Sequence, residues 1–394
     1  MTAVRLRIGA PTRRLRGVDD TTMRVLHVTT DLGTYGAERV LALLLERFDE
    51  PGIELAALTV ARRGPANGAR VPVFDAARRG RFDAGFLARM VAAIRSWRPD
   101  VVHTHTHHGK YWGRLSAVIA RVPLIVHTEH NSEFGAPSFY RAFDRALIRK
   151  TDAVVAFSPT HRDRLVREDG VPAERIAIIP NGIVLREHGP ASRARARAAL
   201  GAGDDERLLL HVGRLTAAKN QQLAIEALAL LEPPARLVLV GDGVDRPALE
   251  ALARARDVAS RVTFLGYHDD AAALLAGADI TLVTSLNEAM PLTVIEAMIA
   301  GSPLVSTPWN GAREMLGEGR YGIVVDDYAP AALAAAVRAI VDDPAAAAER
   351  TRLARDHARA EYDVATMARR HAELYRALSD GTRAASPRMT AVRS

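Results

Sequence analysis

Residues 24–48 read RVLHVTTDLGTYGAERVLALLLERF, and this stretch decides the fold. Arg24–Thr29 is a short run of β-branched and apolar residues. A glycine-containing loop follows over Asp31–Gly36, and Ala37–Phe48 then repeats its apolar residues at helical spacing. A strand that passes through a glycine loop into a helix is the opening unit of a parallel α/β sheet.

The same alternation continues outward. The sequence predicts strands near Glu54–Val60, Val71–Phe74, Asp100–His105, Leu124–His127, Ala153–Phe157 and Ile176–Ile179, with a helix near Ala84–Trp97. Turn-forming pairs then cluster at Asn181-Gly182, Gly189-Pro190 and Gly201–Asp205. The pattern restarts with strands Arg207–Val212, Arg236–Val240, Val262–Phe264, Ile280–Thr284 and Pro303–Ser306. The helices between them are predicted over Lys219–Leu231, Arg246–Arg256, Ala271–Ala276 and Pro291–Ala300, and an Ala/Arg-rich helical region closes the chain over Ala331–Leu378. The expectation is therefore two α/β, Rossmann-like, doubly wound parallel-sheet domains facing across a cleft. Their predicted bounds are 23–185 and 186–378, with basic tails at 1–22 and 379–394. At 394 residues two cores are also the natural number.

Composition narrows the function. Apolar residues make up 48% of the chain and there is no cysteine. Disulfides, thiolate metal sites and a cysteine nucleophile are excluded, and a reducing compartment is favoured. No apolar run approaches the roughly 20 residues that span a bilayer, and nothing at the N-terminus reads as a secretory signal. A cytoplasmic protein is expected. The net charge of +7 is carried largely by the ends: five arginines against two aspartates in residues 1–22, and three arginines against one aspartate in 379–394. A nucleic-acid binder concentrates basic charge on a folded face, so nucleic acid is not the expected partner. The tails are expected to be dispensable.

In open parallel sheets, ligands bind beyond the carboxyl ends of the strands, so the loops after the strands carry the chemistry. After Leu208–Val212 come Gly213-Arg214-Leu215 and then Lys219-Asn220 at a predicted helix start. A guanidinium, an ammonium and a helix N-terminus together suit a diphosphate; a surface Arg and Lys framing a loop is the alternative. After Ile280–Thr284 come Ser285-Leu286-Asn287-Glu288-Ala289-Met290-Pro291, and Glu296 follows inside an apolar helix. Two carboxylates so placed can accept from hydroxyls at two points of one elongated ligand. Glu296 in that apolar stretch is expected to be partly buried and to need a partner. Gly241-Asp242-Gly243 reads as a structural turn, because no second aspartate completes a metal-binding DxD. His103, His105, His107 and His108 would share a strand face only in part, and a structural or cleft-lining role is preferred over a metal.

In this order the motifs resemble the retaining glycosyltransferases of family 4, which have the GT-B fold. The resemblance rests on Gly33–Arg39 (GTYGAER), Thr128-Glu129-His130, Ile179-Pro180-Asn181-Gly182, Val212–Leu215 with Lys219, and Glu288 paired with Glu296. It spans roughly residues 23–375.

The resemblance implies transfer of a sugar from a nucleoside diphosphate sugar to an acceptor hydroxyl with retained configuration, and no cofactor or metal. Arg214 and Lys219 would hold the donor diphosphate, Glu288 the transferred sugar and Glu296 the ribose. Gly36 would let backbone approach the diphosphate, with the N–H groups of Met290 and Leu292 as further donors. His130 would approach the sugar, and Tyr267 or His268 the base. The sequence departs from the family pattern at Tyr35, Ala289 and Pro291, and the last has no N–H to offer a phosphate. Expected partners are a nucleotide sugar and a carbohydrate or lipid-linked acceptor, as in bacterial cell-surface polysaccharide or glycolipid synthesis. Any membrane contact is expected to be peripheral, at the inner face. A sugar-nucleotide epimerase and a non-catalytic sugar-nucleotide binder are the rival readings. A dinucleotide-dependent dehydrogenase lacks its G-x-G-x-x-G here.

Overall fold

The computed structural model describes residues 22–33, 36–60, 70–78, 80, 83, 85–130, 138–203 and 205–381. Thr34, Tyr35, and all but a few residues of the two predicted tails lie outside this set. The chain forms two compact units. One comprises the residues up to Gly182 together with those from Val364 onward, and the other is Ile183–Asp363.

The first unit is built on a seven-stranded parallel sheet. Its strands are β1 (Met23–Thr29), β2 (Ile53–Thr59), β3 (Val73–Asp75), β4 (Val101–Thr104), β5 (Leu124–Thr128), β6 (Ala153–Ala156) and β7 (Ile176–Ile178), in the order β3-β2-β1-β4-β5-β6-β7. The opening stretch behaves as its pattern requires: β1 runs into helix Gly36–Arg47, which buries Val40, Leu41, Leu44 and Leu45. One face of the sheet is apolar, with Leu26, Val28, Ala56, Leu58 and Val102 packed on Met90, Ile94 and Trp97 of helix Phe86–Trp97. Side chains alternate along a strand, so His27 and His103, paired in register across β1 and β4, lie on the opposite face.

The second unit holds a six-stranded parallel sheet of β8 (Arg207–Val212), β9 (Ala235–Val240), β10 (Val262–Gly266), β11 (Ile280–Val283), β12 (Leu304–Ser306) and β13 (Ile323–Val324). The order is β10-β9-β8-β11-β12-β13. Renumbered within the unit this is 3-2-1-4-5-6, the dinucleotide-fold order. Both faces are buried. Leu208, Leu210, Val238 and Val240 face one layer with Val294, Ile295 and Met298, while Leu209, Leu237, Leu239, Ile280 and Leu282 face the other.

Two details differ from the sequence reading. Helix Val364–Ser379, expected in the second domain, belongs to the first unit. It packs on helix Gly36–Arg47 and buries Met367, His371, Leu374, Tyr375 and Leu378. Its amphipathic pattern establishes a helix with one apolar face, and nothing local specifies which sheet that face covers. The two-residue strand β13 is too short for a periodic signal. Among the described residues no helix is long and apolar enough to cross a membrane.

Candidate active site

In an open parallel sheet the ligand crevice forms where the strand order reverses. In the second unit that point lies between β8 and β11, and the loops that follow these two strands are the ones carrying Arg214, Lys219 and Glu288.

Strand β8 passes into Gly213, which lies against the Lys219 side chain. Ala217–Lys219 is a single 3-10 turn, Asn220 takes a left-handed conformation, and the helix begins at Gln221. Lys219 therefore precedes the helix, which begins two residues after the start predicted at Lys219. The carbonyl of Arg214 accepts from Gln221 Nε2 at 2.9 Å, and the Arg214 residue is exposed. Lys219 Nζ reaches across to Glu288 Oε1 at 2.5 Å, and Ser285 Oγ donates to the same oxygen at 2.7 Å. The two loops are also tied by backbone, through Leu286 N–H to the Ala218 carbonyl at 2.9 Å.

A buried chain beneath the loop escaped the sequence reading. His211, within β8, is buried, and burial with the nearby Lys219 charge pushes its imidazole down to about 4. Thr284 Oγ1 donates to the Lys219 carbonyl at 2.8 Å, so its lone pair accepts from His211 Nε2 at 3.1 Å. A neutral His211 thus holds the backbone from which Lys219 projects. No motif marks this histidine, because its partner lies 73 residues away.

Gly241-Asp242-Gly243 is structural, as the sequence suggested. A Cβ on Gly241 (φ +129°) would meet the Gly213 carbonyl oxygen at 2.2 Å, and one on Gly243 the Leu215 oxygen at 2.2 Å. Leu215 N–H donates to the Asp242 carbonyl at 3.0 Å. The glycines let this turn clamp the Arg214 loop.

Glu296 lies in helix Leu292–Ala300 and is 5% exposed, in agreement with its apolar context. Pro291 is the N-cap of this helix rather than its first residue, so Leu292 opens the helix and Met290 lies just before the cap. Tyr267 and His268 follow β10 at the outer edge of the sheet and are exposed, beyond Gly266 at φ +79°.

In the first unit the order reverses between β1 and β4. Gly36 opens its helix at φ +48°, a conformation that favours glycine. His105 follows β4, and His107 and His108 fall on the helical turn Thr106–His108. The strand face expected for 103, 105 and 107 therefore breaks after Thr104. Glu129 and His130 follow β5. Glu129 is buried and accepts from Lys110 Nζ at 2.7 Å, while Lys110 also lies 3.6 Å from Asp144, which pairs with buried Arg114. The ammonium and the His127 ring hold the Glu129 carboxyl well below the usual carboxylate range despite burial. This ionic core anchors the segment that carries His130.

Behind His130 is a set of buried imidazoles. Among the described residues His27, His103 and His105 each bring a ring nitrogen within 4.8 Å of the others. Most of their nitrogens are engaged, His27 Nε2 being the exception among the described residues: His103 Nδ1 meets Tyr375 Oη at 2.6 Å and its Nε2 meets Thr128 Oγ1 at 2.7 Å. His27 Nδ1 and His105 Nε2 are 2.9 Å apart. The arrangement is a hydrogen-bonded network. His103 was legible as a structural residue, but His27, His371 and Tyr375 were not.

Two Rossmann-like units, one with cationic and acidic loops at its switch point, define an α/β protein of the two-sheet class. Comparison with known proteins carries this further. Residues 192–358 match the family described as Glycosyl transferases group 1, and residues 34–187 match Glycosyltransferase Family 4. The glycogen synthase of Mycobacterium tuberculosis H37Rv is 34% identical over 323 residues, covering 78% of this chain and 76% of that one. The α-D-kanosaminyltransferase of Streptomyces kanamyceticus is 31% identical over 264 residues, 62% and 68% of the two chains. Anabaena HepE, solved in complex with UDP-glucose, shares the fold with a TM-score of 0.80 at 23% identity, over 90% of this chain and all of that one. The chain belongs to the family 4, group 1 glycosyltransferases, and its architecture is the GT-B fold. Membership in this family supports the transferase reading over the epimerase and dehydrogenase readings.

Proposed function

We propose that the chain transfers a sugar from a nucleoside diphosphate sugar to an acceptor hydroxyl with retention of anomeric configuration and without a metal ion. The observation that carries the reading is the meeting of Lys219 and Glu288 at the switch point of the second sheet, with Arg214 on the same loop.

In this reading Arg214, Lys219 and the N–H groups at Met290 and Leu292 receive the diphosphate. Glu296 accepts from the ribose, Tyr267 or His268 borders the base, and Glu288 accepts from hydroxyls of the transferred sugar. On the first unit, Gly36 gives backbone access to the diphosphate and His130 contacts the sugar. The bond from the anomeric carbon to the diphosphate oxygen breaks as the acceptor oxygen bonds to the same face of that carbon. The acceptor proton passes to the departing phosphate oxygen. Negative charge growing on the diphosphate is met by fixed cations, which is electrostatic catalysis by preorganised groups.

HepE is held with UDP-glucose, so a UDP-sugar is the first donor to test. The relatives' names include a glycogen synthase and a kanosaminyltransferase; the acceptor proposed here is a carbohydrate or lipid-linked one of cell-surface polysaccharide or glycolipid synthesis. The protein would work in the cytoplasm, with any membrane contact peripheral. A thermal-shift panel of nucleotide sugars in EDTA tests the reading. A donor at 100 times its Kd stabilises the folded state by about 2.7 kcal/mol. A panel in which no nucleotide sugar raises the melting temperature would count against it.

A further inference from the structure

His27, His105 and His130 form a continuous chain. His27 Nδ1 lies 2.9 Å from His105 Nε2, and His105 Nδ1 lies 3.1 Å from His130 Nε2. His27 and His105 are 0% and 3% exposed, and His130 is half-buried. Val40, Leu41, Leu44, Phe157 and Met367 help wall the His105–His130 pair, leaving a cavity of about 10 Å³. That space is at the lower limit for one water.

Burial keeps all three rings neutral at physiological pH: His27 and His130 are each pushed down to about 3, and His105 well below its ordinary value. A neutral imidazole carries one N–H and one bare nitrogen. Each of the two ring-to-ring bonds needs one of each, so fixing the proton on His105 fixes the other two rings. Only two arrangements exist. With the proton on His105 Nε2, His27 must carry its own on Nε2, where it is buried and has no hydrogen-bond partner among the described residues. With the proton on His105 Nδ1, His27 donates through Nδ1 and buries only a bare nitrogen. Orphaned buried N–H groups are rarer than under-satisfied acceptors.

We propose that His27 and His105 are positioning residues that lock His130 in the Nδ1–H tautomer, so that this ring presents a fixed hydrogen-bond donor on the side away from the chain. The inference rests on the proposed function only in naming a sugar oxygen as the acceptor of that N–H. Asn at position 27 would keep a donor near the place of Nδ1, whereas Leu would remove it. His27→Leu should lower kcat about 10-fold, the worth of one hydrogen bond of roughly 1.4 kcal/mol, with the affinity for nucleoside diphosphate unchanged. His27→Asn should restore most of the loss.

The direct test is a long-range ¹H–¹⁵N correlation spectrum of the histidine rings in the unaltered full chain, with His27, His105 and His130 assigned from single variants. Expected are protonated Nδ1 and bare Nε2 at all three rings. A bare Nδ1 on His130, a charged His130 ring, or averaged nitrogens would overturn the proposal. So would one equivalent of zinc binding with displacement of the His27 and His105 signals, which would make the cluster a metal centre. The spectrum is read without substrate, so it is decided independently of the reaction: correct tautomers with a fully active His27→Leu would leave the lock in place and remove its catalytic consequence.

Discussion

Lys219 and Glu288, from the loops after two adjacent strands, form an ion pair of 2.5 Å. Ser285 shares the same carboxylate oxygen. The pair holds two groups of opposite charge together, so a diphosphate would compete with Glu288 for the ammonium. Glu288→Gln removes that competition. Nucleoside diphosphate affinity should stay unchanged or rise, while turnover of the intact donor falls about 10- to 100-fold, the range of a hydrogen bond to a charged group. Calorimetric titration and initial rates check both parts. Loss of diphosphate affinity in Glu288→Gln would place the carboxylate at the nucleotide instead.

Glu296 separates from Glu288 by depth. It is buried in the helix that follows, not in the loop. Glu296→Gln keeps its volume and removes its charge. It should weaken nucleoside diphosphate and nucleotide sugar equally, by about 10-fold or more, because the ribose is common to both. Titration of the two ligands into one variant gives the comparison, and a defect confined to the sugar nucleotide would exchange the two roles.

The Gly241–Gly243 turn predicts a defect at a distance from any ligand. An alanine at 243 places its Cβ 2.2 Å from the Leu215 carbonyl oxygen, which is backbone and cannot swing aside. The Arg214 loop must shift. Gly243→Ala should lower the melting temperature of the second unit and weaken diphosphate binding together. Thermal unfolding with and without nucleotide measures both, and a wild-type affinity would show that the loop adapts.

Stability should fall steeply with acid. His27 and His130 are held at about 3 and His161 and His371 at about 4 by burial, against about 6.5 in an unfolded chain. A lowered histidine gives stability that is complete above 6.5 and is lost as pH falls toward the folded value. Each costs about 1.4 kcal/mol between pH 7.5 and 5.5. Asp169, pushed up to about 6 by burial, works in the opposite sense but is a single group. All five belong to the first unit. Its melting transition should drop well before that of the second unit between pH 7 and 5, as calorimetry would resolve. A flat profile would mean that the histidines are hydrated.

Most of the strands, and the loops that carry Arg214, Lys219, Glu288 and His130, were legible in the sequence because each is set by local periodicity and turn residues. The alternation around residues 24–48 and 207–240 needs no partner to be read. What escaped is what depends on distant pairing. His27 looks like any polar residue in an apolar strand until β4 brings His103 opposite it. His211 gains its meaning from Thr284, and Tyr375 from His103, 272 residues earlier. The fate of helix Val364–Ser379 was hidden for the same reason: its apolar face fits either sheet equally well by pattern. Small boundary errors at Lys219 and Pro291 arose where a 3-10 turn or a cap mimics a helix start.

The central claim is that protein cations at the β8 loop, and no metal, hold the donor's diphosphate. It is tested most directly by titrating a nucleoside diphosphate into the protein in EDTA, beside Arg214→Ala and Lys219→Ala. Binding should persist in EDTA for the unaltered chain and fall at least about 10-fold in each variant, the loss of one charged hydrogen bond. Binding that disappears in EDTA and returns with magnesium, or that survives both substitutions at full strength, would contradict the account.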